Sequence, residues 1–229
     1  FLQALHGKVL ECHGNPAVRA VVLTGEGKNF CAGGNVRAFA GADDRPTYLR
    51  EIADNFHQLV GALYEANRPV VVAAKGWAAG AGMSLVLHAD VAVGGPSTRL
   101  RPAYRGIGLT PDGGLTWTLP RAVGAARARQ IILTDRVISA DEAQQWGLLS
   151  EIVADEMSPA TVPVTHHLEM QEPQEPAAEA EAERGRGLHL VAEARVVQRQ
   201  LLDGVAQGVE VVGIHGEEAA EDNRLGGLE

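Results

Sequence analysis

Aromatic side chains are scarce: Phe, Trp and Tyr make up 4% of the 229 residues. Any sizeable core must therefore be aliphatic, filled by Val, Leu, Ile and Ala. Cysteine is nearly absent. Cys12 and Cys31 give neither a disulfide framework nor a metal-ligand spacing, so no metal is expected and a reducing cytoplasm is the expected compartment. No apolar run approaches the roughly 20 residues of a membrane-spanning helix. The opening residues, FLQAL, lack the basic start and cleavage pattern of a secretory signal. No membrane partner is expected. Positive charge is not in excess either: the net charge of −9 argues against a nucleic-acid partner.

What the chain does have is glycine, aliphatic runs and an uneven spread of acid. With 45% hydrophobic residues and 27 Gly it reads as one globular, turn-rich domain with room for an appendage. Residues 155–229 carry 16 acidic against 5 basic side chains, a net of −11, whereas residues 1–154 carry 13 against 15, a net of +2. The first two thirds can therefore hold a small anionic ligand. The chain divides into a core, 1–155, and an acidic C-terminal segment, 156–229. That segment has four prolines between 157 and 176. It is expected to be partly helical, with stripes over 188–212 interrupted by Gly204 and Gly208.

Within 1–155, hydrophobic spacing predicts alternating helices and strands. Leu2, Leu5, Val9 and Leu10 mark a helix over 2–13, closed by Asn15 and Pro16. Residues 19–24 read as a buried strand. Leu49, Ile52, Ala53, Phe56, Leu59, Val60 and Leu63 form one stripe of a helix over 46–66, with Pro46 suited to its first turn. Strands are expected at 69–74 and 90–93, a helix from about 81 to 88, and an extended stretch over 98–104. A helix should start near 112 or 113, and another should cover 124–133. Ser139 and Glu142 have the form of a capping box opening a short helix to 146, and 147–153 return as a strand. This alternation predicts an α/β fold with largely parallel pairing.

Three Gly-rich loops follow strands, at 30–35, 75–82 and 106–114. Ligands of open α/β sheets bind at the strands' carboxyl ends, so the three loops are expected to converge. The loop KGWAAGAG at 75–82 leads from a strand into a helix start near Ala81. The first N–H groups of a helix lack backbone partners and sit at the positive end of its dipole. Small residues let a ligand reach that backbone. Such a start suits an anion, or an oxygen that becomes one; the alternative is a tight turn with no ligand.

Taken together, FCAGGNVR (30–37), RPVVVAAKGWAAGAGMS (68–84), GLTPDGG (108–114) and LPRAVG (119–124) resemble the crotonase (enoyl-CoA hydratase/isomerase) superfamily. So do ILTDRVISADEA (132–143) and WGLLSEIV (146–153). The resemblance covers residues 1–155. It implies a crotonase-like β/α spiral core and an acyl-CoA thioester substrate. It implies no cofactor beyond the coenzyme A that the substrate carries, and a homotrimer or hexamer. The helix at 2–13 looks like the family's first helix, so the family's initial strands are expected to be missing from this chain. Gly34 and Ala81 match the two positions whose backbone N–H groups form the family's oxyanion hole. Arg37 matches a basic position that contacts CoA phosphates; a solvated surface arginine is its alternative. Ala32, Trp77 and Trp117 are further substrate-binding candidates, with core packing as the alternative for both tryptophans.

The family's hydratases use two glutamates. The resemblance puts Ser84 and Ala103 at those positions, and neither can exchange a proton in that role. Asp112 remains, in a Pro-Asp-x-Gly setting similar to that of the family's acyl-CoA isomerases. On its own it could be the N-cap of the helix that follows. The resemblance makes it the base of a double-bond or ring isomerisation, for which one carboxylate suffices. An alternative is an aryl- or acyl-CoA dehalogenase or hydrolase using Asp112, as a nucleophile in the dehalogenase. His57 resembles a histidine position of the dehalogenase branch, with Tyr104 where a tryptophan is expected and Phe56 replacing another aromatic. A third reading is a catalytically impaired CoA-binding member, motivated by Asn35 where the family usually has Asp. His88 reads as a satisfied core histidine. His166 and His167 make a poor metal site, and Cys31 reads as a small loop-packing residue rather than a nucleophile.

Overall fold

The computed structural model describes residues 1–155 and the backbone of 209–214. The elements run α1 (Leu2–Gly14), β1 (Ala20–Gly25), α2 (Val36–Gly41), α3 (Arg45–Tyr64), β2 (Val70–Ala74), β3 (Trp77–Ala79) and α4 (Ala81–His88). They continue with β4 (Val91–Gly94), β5 (Arg99–Arg101), a 3-10 turn (Arg105–Ile107), α5 (Leu115–Val123), α6 (Ala125–Thr134), β6 (Ile138–Ser139), α7 (Ala140–Gln145), β7 (Glu151–Ile152) and β8 (Val209–Ile214). The main sheet has the order β7-β4-β2-β1-β8, and every pairing in it is parallel. A smaller sheet, β3-β5-β6, pairs β3 with β5 in parallel and β5 with β6 antiparallel.

A parallel sheet is covered on both faces, so its strands are continuous apolar runs rather than alternating ones. β1 is buried at every position, and β2 is the run VVVAA. α3 starts where Asp44 accepts a hydrogen bond from the Thr47 N–H at 3.2 Å, which satisfies one of the helix's free donors. Its buried stripe, Phe56, Leu59, Val60, Ala62 and Leu63, packs with Leu5, Val9 and Cys12 of α1 into the same cluster as Val21, Leu23, Val70 and Val72 of the sheet. The core is aliphatic, as the composition requires; Phe30, Phe56 and Tyr104 are its buried aromatics. The capping box at the start of α7 is present in both directions between Ser139 and Glu142.

Four local assignments differ from expectation. Residues 36–41 form a short helix, because the Asn35 side chain accepts from the Ala38 N–H at 3.1 Å and caps it. Trp77–Ala79, read as turn, is strand β3, stabilised by pairing with β5 and a bridge from Cys31 to Ala78. The regular strand near 147–153 is only Glu151–Ile152. Residues 209–214 overlap the expected helical stripes of the C-terminal segment, yet they are a strand. The β-branched run VEVVGI satisfies the outer backbone edge of β1, from Ala20↔Val209 to Gly25↔Ile214. An unpaired sheet edge recruits such a run. The rest of the expected helical and solvated stretches between 156 and 229 lies outside the described residues, as do His166 and His167.

Candidate active site

The three Gly-rich loops meet. The Cys31 N–H donates to the Trp77 carbonyl at 3.0 Å, and the Ala79 N–H donates to the Cys31 carbonyl at 2.8 Å. These bonds lace the first loop to β3. Gly82, in the first turn of α4, sits against the Cys31 carbonyl with no room for a side chain. Gly34 and Ala81 therefore lie on adjoining strands of backbone, three residues past Cys31 and two past Ala79. Among the described residues, neither the Gly34 nor the Ala81 N–H has a hydrogen-bond partner. For Ala81 the reason is geometric: it is the first residue of α4, and a helix offers no carbonyl to its first amides.

The third loop is held against α4 by side chains. Ser84, wholly buried, donates its hydroxyl to the Asp112 carbonyl at 3.3 Å. Ser84 stands one helical turn after Ala81, about 4.5 Å along the axis and on a neighbouring face. The peptide that carries Asp112 is thus brought close to the α4 N-terminus. Asp112 is not an N-cap. α5 begins at Leu115 with Gly114 before it and no side-chain cap. Instead the half-buried Asp112 carboxylate accepts a hydrogen bond from the Tyr104 hydroxyl, at 2.7 Å on Oδ1. Tyr104 is 7% exposed. Burial first, and then its hydrogen bond to Asp112 and that group's negative charge, push the phenol well above its ordinary value. It stays a protonated donor throughout the physiological range.

Two imidazoles complete the loop's restraints. The Gly113 N–H donates to His57 Nε2 at 3.2 Å, and His88 Nε2 donates to the Gly113 carbonyl at 2.7 Å. Burial lowers the His88 pKa, with the bond to Gly113 acting in the opposite direction, so the ring is a neutral donor. Ala103 holds a left-handed backbone conformation at φ 59°, unusual for a residue with a side chain. Its N–H donates to Asp135 Oδ1 at 2.7 Å, while Arg101 donates to Asp135 Oδ2 at 2.8 Å. Asp135 thereby fixes the turn that brings Tyr104 to Asp112. Replacing Asp135 by Ala strands that amide and unpairs Arg101. Because Arg101 is half exposed and can rehydrate, the expected loss of stability is about 1–3 kcal/mol, read as a lowered denaturation midpoint.

The remaining candidates are less central. Ala32 and Arg37 are exposed. Trp77 is half-buried in β3. Trp117 is 59% exposed on α5, with the Arg121 guanidinium stacked over its ring, so it is not packed in the core. Burial pushes the Cys31 thiol up, with a smaller opposing contribution from the Gly33 backbone, which suits a packing residue better than a nucleophile. Among the described residues no cluster of three His, Cys, Asp or Glu could hold a metal ion.

The sequence profile described as enoyl-CoA hydratase/isomerase matches residues 1–199. The chain belongs to this family, the crotonase superfamily. It is 35% identical over 162 residues to 1,2-epoxyphenylacetyl-CoA isomerase of Escherichia coli, covering 68% of this chain and 62% of that protein. It is 44% identical over 138 residues to a protein of Rhodobacter capsulatus named probable enoyl-CoA hydratase, covering 60% and 52%. Among solved structures, the enoyl-CoA hydratase from Polaromonas sp. JS666 superposes with a TM-score of 0.64 at 32% identity, over 68% of this chain and 61% of that one. The matched region spans only 52–62% of the length of these two curated relatives. The fold is therefore the crotonase fold, and an acyl-CoA thioester is the kind of ligand consistent with the family. Tyr104, Ser84 and Asp135 act at the loops in ways that sequence reasoning did not anticipate. The one available signal was Tyr104, since a tyrosine in apolar surroundings needs a partner for its hydroxyl.

Proposed function

We propose that this enoyl-CoA hydratase/isomerase family member is an acyl-CoA isomerase, catalysing a double-bond or ring isomerisation by proton transfer through Asp112. The observation that carries the reading is the state of the acid/base groups around the loops. Asp112 is a half-buried carboxylate with Oδ1 held by Tyr104. Ser84 and Ala103, at the positions of the hydratase glutamates, offer a buried hydroxyl used on the Asp112 carbonyl and a methyl group. Asp135, the other carboxylate tied to this segment, is paired with Arg101. One free carboxylate suits a 1,3 proton shift.

In the proposed reaction Asp112 Oδ2 takes a proton from C2 of a 3-enoyl thioester. The C–H electrons form the C1–C2 double bond of a dienolate that keeps its C3–C4 double bond, and the carbonyl pair moves onto the thioester oxygen. The Gly34 and Ala81 N–H groups stabilise that oxygen. Asp112 then returns the proton to C4; the carbonyl re-forms and the C1–C2 pair becomes the C2–C3 double bond, leaving the conjugated 2-enoyl ester. Tyr104 holds one oxygen so that the other faces the substrate. His57 gives its accepting nitrogen to Gly113, which leaves it poorly placed to take a proton from water and counts against the dehalogenase or hydrolase alternative. Arg37 on CoA phosphate and a homotrimeric or hexameric assembly are parts of the same proposal.

The test is a purified full chain given a 3-enoyl-CoA, following the absorbance of the conjugated thioester. Growth of that absorbance is expected; binding without turnover would point to a CoA-binding member instead. Tyr104→Phe should keep the fold and the KM while kcat falls by roughly 10–100-fold, the worth of a hydrogen bond to a charged group.

A further inference from the structure

The geometry points to His57 and His88 as positioning residues for the Asp112 loop: two imidazoles from two helices, with opposite hydrogen-bonding roles, hold Gly113 by its N–H and by its carbonyl and so set where the Asp112 carboxylate stands. This inference rests on Asp112 being the base.

The two roles follow from the partners. A backbone N–H can only donate, so His57 Nε2 accepts and its ring proton is on Nδ1. A carbonyl can only accept, so His88 carries its proton on Nε2. Asp112 precedes Gly113 directly, and its own carbonyl is taken by Ser84 and by the Leu115 N–H at 3.0 Å. Each backbone group from the Asp112 carbonyl to the Gly113 carbonyl is thus fixed by a named partner, although this stretch belongs to no helix or strand. Gly113 sits at φ 54°, and the Phe56 ring occupies the space where a side chain would be. Phe56 and His57 are neighbours on α3, so one turn of that helix supplies both the packing surface and the acceptor. His57 is exposed, and among the described residues its ring's one hydrogen bond is to Gly113. Aliphatic burial does not explain it; the loop contact does. His88 also limits the loop, since its Nε2 would lie 2.8 Å from any side-chain carbon on Gly114.

The test uses the full chain, steady-state kinetics on a 3-enoyl-CoA, and two replacements at each site. His57→Leu removes the acceptor, and His57→Gln restores one with an amide oxygen. We expect His57→Leu to lower kcat by about 10-fold with KM within about 2-fold of wild type, and His57→Gln to recover most of the loss. His88→Leu and His88→Gln should repeat the pattern with a donor in place of the acceptor. Because His57 is exposed, its pair of variants carries the test even where a His88 variant does not fold. Equal losses in the Leu and Gln variants at position 57, or a rise in KM in place of the fall in kcat, would overturn the inference. Asp112→Asn, run alongside, separates the two levels. If Asp112→Asn turns over like wild type, the base assignment fails. If Asp112→Asn is inactive while His57→Leu is unimpaired, only the positioning role fails.

Discussion

Asp112→Asn should fold as the parent does, bind CoA esters with similar affinity, and lose between about 10²- and 10⁴-fold in kcat, the range that a positioned general base contributes. The substitution is nearly isosteric. The amide can still accept from Tyr104 through its oxygen, so the 2.7 Å contact on Oδ1 survives and the loop keeps its Ser84, His57 and His88 restraints. What disappears is a group able to hold the migrating proton. A fall in kcat with unchanged KM is the signature of an interaction used only in the transition state. Steady-state kinetics beside a thermal melt check it; a variant as active as the parent would remove Asp112 from the chemistry.

Gly82→Ala is expected to damage both stability and turnover. In an ordinary helix the change from Gly to Ala is favourable by about 1 kcal/mol. Here the new methyl would run into the Cys31 carbonyl and lie 2.8 Å from the Cys31 Cβ. That carbonyl cannot swing aside freely, because it accepts the Ala79 N–H at 2.8 Å. The first loop must therefore move away from α4. Overpacking of this kind costs typically about 1–3 kcal/mol, which outweighs the gain in propensity. Moving the loop separates Gly34 from Ala81; under the oxyanion role proposed for these two amides, losing one donor costs roughly 10²–10³-fold in kcat. Thermal denaturation and the same kinetic assay read the two effects. A stabilised, fully active Gly82→Ala would show that the loops do not meet as described.

Most of the main sheet and α3 could be read from the sequence because their signals are local. A β-branched run such as VVVAA, Pro46 in the first turn of α3, and the Ser139–Glu142 box each state their structure within a few residues. The convergence of three Gly-rich loops was legible as well, since chain order and parallel pairing leave few other arrangements. The pieces that escaped are set by distant partners. Trp77–Ala79 became strand through pairing with Arg99–Arg101 and Cys31. Residues 209–214 became strand through the open edge of β1, some 190 positions earlier in the chain. The role of Asp112 shows the same limit. Spacing alone allowed an N-cap, but α5 starts at Leu115, two or three residues later than expected, and the carboxylate instead meets a tyrosine from the preceding turn. His57 and Gly113 are 56 residues apart, and no periodicity in either segment reports their contact.

The central claim is that Asp112 moves a proton within the substrate and that water is not added. Mass spectrometry of the product tests it directly. With a 3-enoyl-CoA as substrate, the product should have the mass of the starting ester and a double bond conjugated to the thioester. A product heavier by one water, formed at the rate of turnover and still formed by Asp112→Asn, would contradict the account.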